Sequence, residues 1–199
     1  MNAQDLSHVR ADGSAHMVDV TDKQVTSREA TAQATLRTRA DVVARIAEGN
    51  LPKGEALPVA RIAGILGAKR TPDLIPLCHP LPISGVEIDL IPVEDRVEIT
   101  ARVRTRGVTG VEMEALTAAS VAALTVYDMI KAVDHLASIE KVQVLAKSGG
   151  KSGDWTREGE GREAPAPSAP APSAPNLSAP NPSGQNNDAQ QSRTQEETR

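Results

Sequence analysis

The chain has no phenylalanine, one tyrosine, one tryptophan and one cysteine among its 199 residues. A disulfide within the chain needs a second cysteine, so none forms, and the lone Cys78 fits a reducing compartment. Single-stranded nucleic acids stack on aromatic faces, and Tyr127 and Trp155 are too few to build such a platform. A basic excess, the usual mark of a nucleic-acid-binding domain, is also missing. The formal charge is -4, and the segment from Asp154 onward carries most of it, so the body is nearly neutral. No uninterrupted run of about 18 apolar, uncharged residues is present to span a bilayer. The first twenty residues hold no apolar stretch of signal-peptide type. These absences predict a cytoplasmic protein with neither a nucleic-acid nor a membrane partner.

Roughly the first 155 residues read as globular, enough for one domain with a sizeable core. Residues 1–15 are polar and read as a loose N-terminal segment. Residues 16–155 are expected to form a single domain. Residues 156–199 read as a disordered tail rich in Pro, Ala and Ser: half of the 14 prolines follow residue 160, and Ser-Ala-Pro recurs there. Few apolar side chains remain in that tail to offset the entropy of ordering. Truncation after Trp155 is therefore expected to leave folding and activity intact.

The stretch Gly110–Leu136 reads as one long helix, rich in Ala, Leu, Met and Glu with no Gly or Pro after Gly110. Between Ala115 and Val133 only Asp128 and Lys131 are charged, which predicts a buried helix. Glu114, Thr117, Val121, Leu124, Asp128, Lys131 and His135 share about a third of its circumference. Charges on a dry helix must be paired. Asp128 and Lys131, three apart, are either a structural ion pair or an acid/base pair at the wall of a pocket.

His16–Val20 alternates weakly and suggests a short strand. Ala30, Ala32, Ala34 and Leu36 alternate with polar residues, which predicts a strand closely packed on one face; Thr26-x-x-Glu29 mimics a helix capping box and supports the competing helix. Helices are predicted over Asp41–Glu48 and Val59–Thr71, the second with a smooth face of Ala60, Gly64 and Gly67. The proline-rich Leu77–Pro82 segment reads as an ordered loop or sheet edge. Residues 86–90 and 97–104 alternate around a turn at 92–95, the clearest hairpin in the chain, with one wet face. Val142, Val144 and Ala146 mark a last strand. Together these give an α+β fold, one antiparallel sheet with helices packed on one face.

Three places carry candidate chemistry. The loop Lys147–Gly153 holds three glycines and two lysines, Lys147 and Lys151. Such a loop suits an anion, though it is not a P-loop and also fits a flexible exit to the tail. Cys78-His79 sits between prolines; zinc needs more ligands at recognisable spacing, so a histidine held by loop hydrogen bonds is the default there. Glu112, Met113 and Glu114 open the long helix, where acids favour the positive end of the dipole and where a carboxylate also accepts from the N–H edge of a guanine-like base. With Lys53, these residues describe a site for an anionic, nitrogen-rich ligand.

DLIPLCHPL (73–81), TGVEMEALTAASVAALTVYDMIKA (109–132) and LAKSGGKSGDW (145–155) resemble the cyclic pyranopterin monophosphate synthase family of molybdenum cofactor biosynthesis. HMVDV (16–20) and ARIAGILGAKRT (60–71) agree with it. The resemblance implies a ferredoxin-like α+β fold and a homohexamer, a trimer of dimers with active sites at a subunit interface. It implies a lyase that converts 3',8-cyclo-7,8-dihydroguanosine 5'-triphosphate to cyclic pyranopterin monophosphate with loss of diphosphate. Asp128 would be the catalytic aspartate, Lys131 a general acid/base, and Lys53 and Lys147 lysines of the pocket. Leu77, Cys78 and His79 would contact substrate from one segment, and Met113 and Glu114 from another. No cofactor is called for, although Mg²⁺ would suit the triphosphate. Two other classes compete: a binding protein that holds the intermediate without turning it over, and a metal-dependent hydrolase built on His79 and the glutamates.

Overall fold

In the computed structural model, which describes residues 10, 12–151 and 153–158, the period-two pattern of the first alanine-rich segment wins over its capping-box signal. Thr26–Arg37 is strand β1, and Ala30, Ala32, Ala34 and Leu36 point into the core. The tail expected from residue 156 lies outside the described residues from 159 onward, as do most of the N-terminal segment and Ser152 of the glycine loop.

After β1 come helix α1 (Ala40–Ala47), helix α2 (Ala56–Lys69) and the short turn α3 (Thr71–Leu74). The hairpin follows, with β2 (Ile83–Val93) paired to β3 (Arg96–Gly107). Then come α4 (Glu112–Ile130), β4 (Ser138–Ser148) and the two-residue β5 (Trp155–Thr156). All pairings are antiparallel and the strand order is β2-β3-β1-β4-β5. Without β5, this order and the β-α-β-β-α-β sequence are those of a ferredoxin-like fold. Residues 16–20, expected as a strand, have no regular secondary structure.

With no Phe, the core is assembled from small and branched aliphatic side chains. Ala115, Ala118, Ala119, Ala122 and Ala123 of α4 are fully buried, as are Ala32 of β1 and its register partner Ala101 of β3. Small side chains on both surfaces let the helix and sheet approach closely, where dispersion contacts are densest. On its other side α4 meets α2 through the expected smooth face. A methyl group on Gly64 would lie 3.0 Å from the Ala118 carbonyl, and one on Gly67 would lie 2.9 Å from a Val121 methyl. α4 is long and apolar enough to cross a bilayer, but here it lies between sheet and α2, where those faces cover it.

The helix ends at Ile130, not at Leu136 as its composition suggested. The buried Asp134 carboxylate explains the difference. It accepts from the Thr38 hydroxyl at 2.7 Å, the Arg39 N–H and the Leu136 N–H, which stabilises a turn in place of another helical turn.

Candidate active site

Two hollows open at the N-terminal end of α4. The larger, of about 950 Å³, is lined by Lys23, Arg28, Glu112, Lys147 and the Ser148–Lys151 loop, among others. The smaller, of about 400 Å³, is lined by Leu77, Cys78, His79, Met113 and Glu114 together with Val18 and Val20. Both are also lined by Lys23, Thr109, Gly110 and Glu112, so they form one cleft with two ends. One end gathers four cationic side chains. The other combines apolar walls with a histidine and a carboxyl group.

The folding that builds this cleft is local and simple. The β3–α4 connection at Val108–Val111 delivers the first turn of α4 to the cleft's centre, and its carboxylates sit at the positive end of the helix dipole. Glu112 pairs with Lys147 at 3.1 Å, tying α4 to the end of β4. Arg28 donates from Nε to the Gly107 carbonyl and from a terminal nitrogen to that of Val108, which holds its guanidinium against the glycine loop. His79 contacts the Val18 carbonyl at 2.9 Å through Nε2. A carbonyl only accepts, so in this arrangement Nε2 carries the proton. Glu114 is 3 % exposed. Burial raises its pKa, its own backbone N–H opposes that, and the neighbouring Glu112 adds to the rise. Burial, and then Glu114, push the Cys78 thiol up as well, which leaves it a poor nucleophile.

A second cluster lies at the far end of α4. Asp128 accepts from Lys131 at 2.8 Å through one carboxylate oxygen and from Lys53 at 2.7 Å through the other; Lys53 also reaches the Asp128 carbonyl. Hydrogen bonds from Lys131 and then Lys53 lower the Asp128 pKa to about 2, and Asp128 in turn raises that of Lys131. The three residues expected to act together thus touch.

Two expectations fail in the single chain. Asp128 and Lys131 are not buried: their side chains are 52 % and 54 % exposed. Their stripe is buried at Glu114 and Thr117, but Leu124 and the charges beyond it are exposed. Nor does the trio line the cleft. Met113 and Asp128 are fifteen residues apart, which is roughly 22 Å along a helix.

Lys23 and Arg28 line the cleft but do not figure among the sequence candidates. Strand register brings Arg28 to Lys147: Ala30 pairs with that residue, so Arg28 falls beside the glycine loop. The glycine loop also differs from a simple anion nest, because the Gly149 N–H is taken by the Asp154 side chain and the Gly153 N–H by the Gly150 carbonyl. Among the described residues, no three His, Cys, Asp or Glu side chains gather as a cation-binding group.

Comparison with known proteins bears on the same residues. The model of the MoaC family matches residues 17–150, which take in every candidate site residue except Lys151. A protein of Corynebacterium efficiens named cyclic pyranopterin monophosphate synthase is 66 % identical over 152 residues, covering 76 % of this chain and 98 % of that protein. A protein of the same name from Streptomyces coelicolor is 61 % identical over 152 residues, covering 76 % and 89 %. Cyclic pyranopterin monophosphate synthase 2 of Mycobacterium tuberculosis is 60 % identical over 153 residues, covering 77 % and 92 %. With the match running from Met17 through the cleft to Gly150, the chain belongs to the MoaC family.

Proposed function

We propose that the protein is the lyase that converts 3',8-cyclo-7,8-dihydroguanosine 5'-triphosphate to cyclic pyranopterin monophosphate, releasing diphosphate, in molybdenum cofactor biosynthesis. The observation that carries this reading is the two-ended cleft. Lys23, Arg28, Lys147 and Lys151 suit a triphosphate, and Glu114 and His79, beside Leu77, Cys78 and Met113, suit a nitrogen-rich ring that offers both polar edges and an apolar face. The shared wall of Lys23, Thr109, Gly110 and Glu112 lets one molecule occupy both ends.

The reaction needs proton transfers during ring rearrangement and charge stabilisation as diphosphate departs. In the closing step a hydroxyl attacks the innermost phosphorus, the bond from that phosphorus to its bridging oxygen breaks, and the cationic end of the cleft meets the charge on the leaving diphosphate. Proton transfer belongs to Lys131, with Asp128 and Lys53 fixing its position and protonation. In the exposed trio Asp128 holds Lys131 protonated, ready to act as an acid. Drying that trio would bring its pKa down towards a base's working range. Mg²⁺, where it takes part, arrives with the triphosphate as part of the substrate.

A second copy supplies both the drying and the missing proximity. Val59, Ile62 and Leu66 form an exposed apolar stripe along α2, and Leu124 of α4 is exposed one turn from Asp128. A homohexamer, built as a trimer of dimers, would cover apolar surface of this kind and set one chain's trio beside another chain's cleft. The proposal keeps the protein in the cytoplasm, with a small-molecule substrate and neither a nucleic-acid nor a membrane partner.

The direct test is incubation with the cyclic triphosphate intermediate, followed by assay for the pterin and diphosphate. Because trio and cleft are apart in one chain, a lone chain could hold the intermediate without turning it over, and this favours binding as the second reading. Asp128→Ala and Lys131→Ala separate the two. A lyase loses about 100-fold or more in turnover while binding largely survives. Parental turnover in both variants would remove the trio from the reaction.

A further inference from the structure

The segment just beyond the matched family region is fastened to the cleft. β5 pairs Trp155 with Lys147 and Thr156 with Ala146. Arg157 continues the attachment: its backbone N–H donates to the Leu145 carbonyl at 2.8 Å and its Nε to that of Val144 at 2.9 Å. Its guanidinium lies 5.5 Å from the centre of the Trp155 ring. At the other end of the loop, the Asp154 carboxylate accepts the Gly149 N–H at 3.1 Å. Gly149 and Gly150 both adopt positive φ, and both press against β1, Gly149 on the Ser27 carbonyl and Gly150 on the Arg28 guanidinium. A loop of glycines has many alternatives to that conformation. Something must hold it, and among the described residues the Asp154 side chain bonds across it.

We infer that Asp154 is a positioning residue: with β5 and Arg157 it clamps the glycine loop so that the loop and Lys147 keep the cationic end of the cleft in shape. This rests on the proposed function for what the cleft binds, but not for the clamp itself. Asp154 spends its charge on a backbone amide and is absent from the lining of the cleft. The anion would accordingly meet lysine and arginine side chains and not the Gly149 amide.

The test uses the full chain, hydrogen exchange of the peptide spanning 147–151, and titration with inorganic tripolyphosphate read from the emission of Trp155, the chain's one tryptophan. Asp154→Ala should speed exchange at Gly149 and weaken tripolyphosphate binding, each by about five- to tenfold, as loss of one charge-assisted hydrogen bond implies. Asp154→Asn, which keeps the acceptor oxygen, should restore both to within about twofold. Thermal melting should show all variants folded. Unchanged exchange in Asp154→Ala overturns the clamp. Tighter tripolyphosphate binding in that variant overturns it too, since Asp154 would then be a competitor of the anion. If exchange responds as predicted while the parent binds no tripolyphosphate, the clamp is supported and the reading of the cleft fails.

Discussion

Gly67→Ala probes the contact that sets where both halves of the site stand. α2 follows the loop that carries Lys53 and precedes the segment that carries Leu77, Cys78 and His79. Its distance from α4 is fixed by the glycine contacts, and the added methyl would meet Val121 at 2.9–3.4 Å. Helix propensity alone favours alanine over glycine by about 1 kcal/mol. Overpacking between two helices costs about 1–3 kcal/mol. The expected net is a loss of up to about 2 kcal/mol, or a fall in Tm of up to about 8 °C for a chain of this size. Urea unfolding of Gly67→Ala, Val121→Ala and the double variant closes the cycle. The double variant should recover about 1 kcal/mol relative to additivity, because shortening Val121 removes the clash. A Gly67→Ala protein more stable than its parent, with no coupling to Val121, would refute close α2–α4 packing as the frame of the site.

Two other outcomes follow from the described geometry. Burial raises the Glu114 pKa above its ordinary value of 4.5, so folding favours the protonated form; stability falls as pH rises from that value through the folded pKa. Glu114→Gln should therefore melt higher than the parent at pH 7, lose that advantage below about pH 4.5, and bind substrate less well; equal melting at both pH values would contradict the burial argument. Removal of residues after Glu158 should leave melting and activity unchanged, whereas a cut after Trp155, which composition alone makes look harmless, discards the pairing of Thr156 and both bonds of Arg157 and should lower Tm; identical melting of the two truncations would show that those bonds contribute nothing.

The sequence is most legible where one periodicity acts alone. Alternation gives β1 and the β2–β3 hairpin, and the spacing of Ala60, Gly64 and Gly67 gives a close helix contact, because each depends only on neighbours along the chain. The end of α4 is hidden because Asp134 finds Thr38 across the fold, nearly a hundred residues away. The exposure of Asp128 is hidden for a related reason. An apolar helix reads as buried all round, but only the fold decides which part of each face is covered, and Leu124 is left exposed. The family motifs bring Lys147, His79 and Glu114 to one cleft, yet Arg28 enters only through strand register, a property of paired segments and not of either alone.

The central claim is that one chain's cleft works with another chain's Asp128–Lys131–Lys53 trio. Co-expressing Lys131→Ala with Lys147→Ala, each expected to be nearly inactive alone, and assaying diphosphate release from the mixed assemblies addresses it directly. Random assortment of cleft and trio should restore about a quarter of the parental activity. Mixed assemblies, verified by two tags, that stay as inactive as either variant alone would contradict a site shared between subunits.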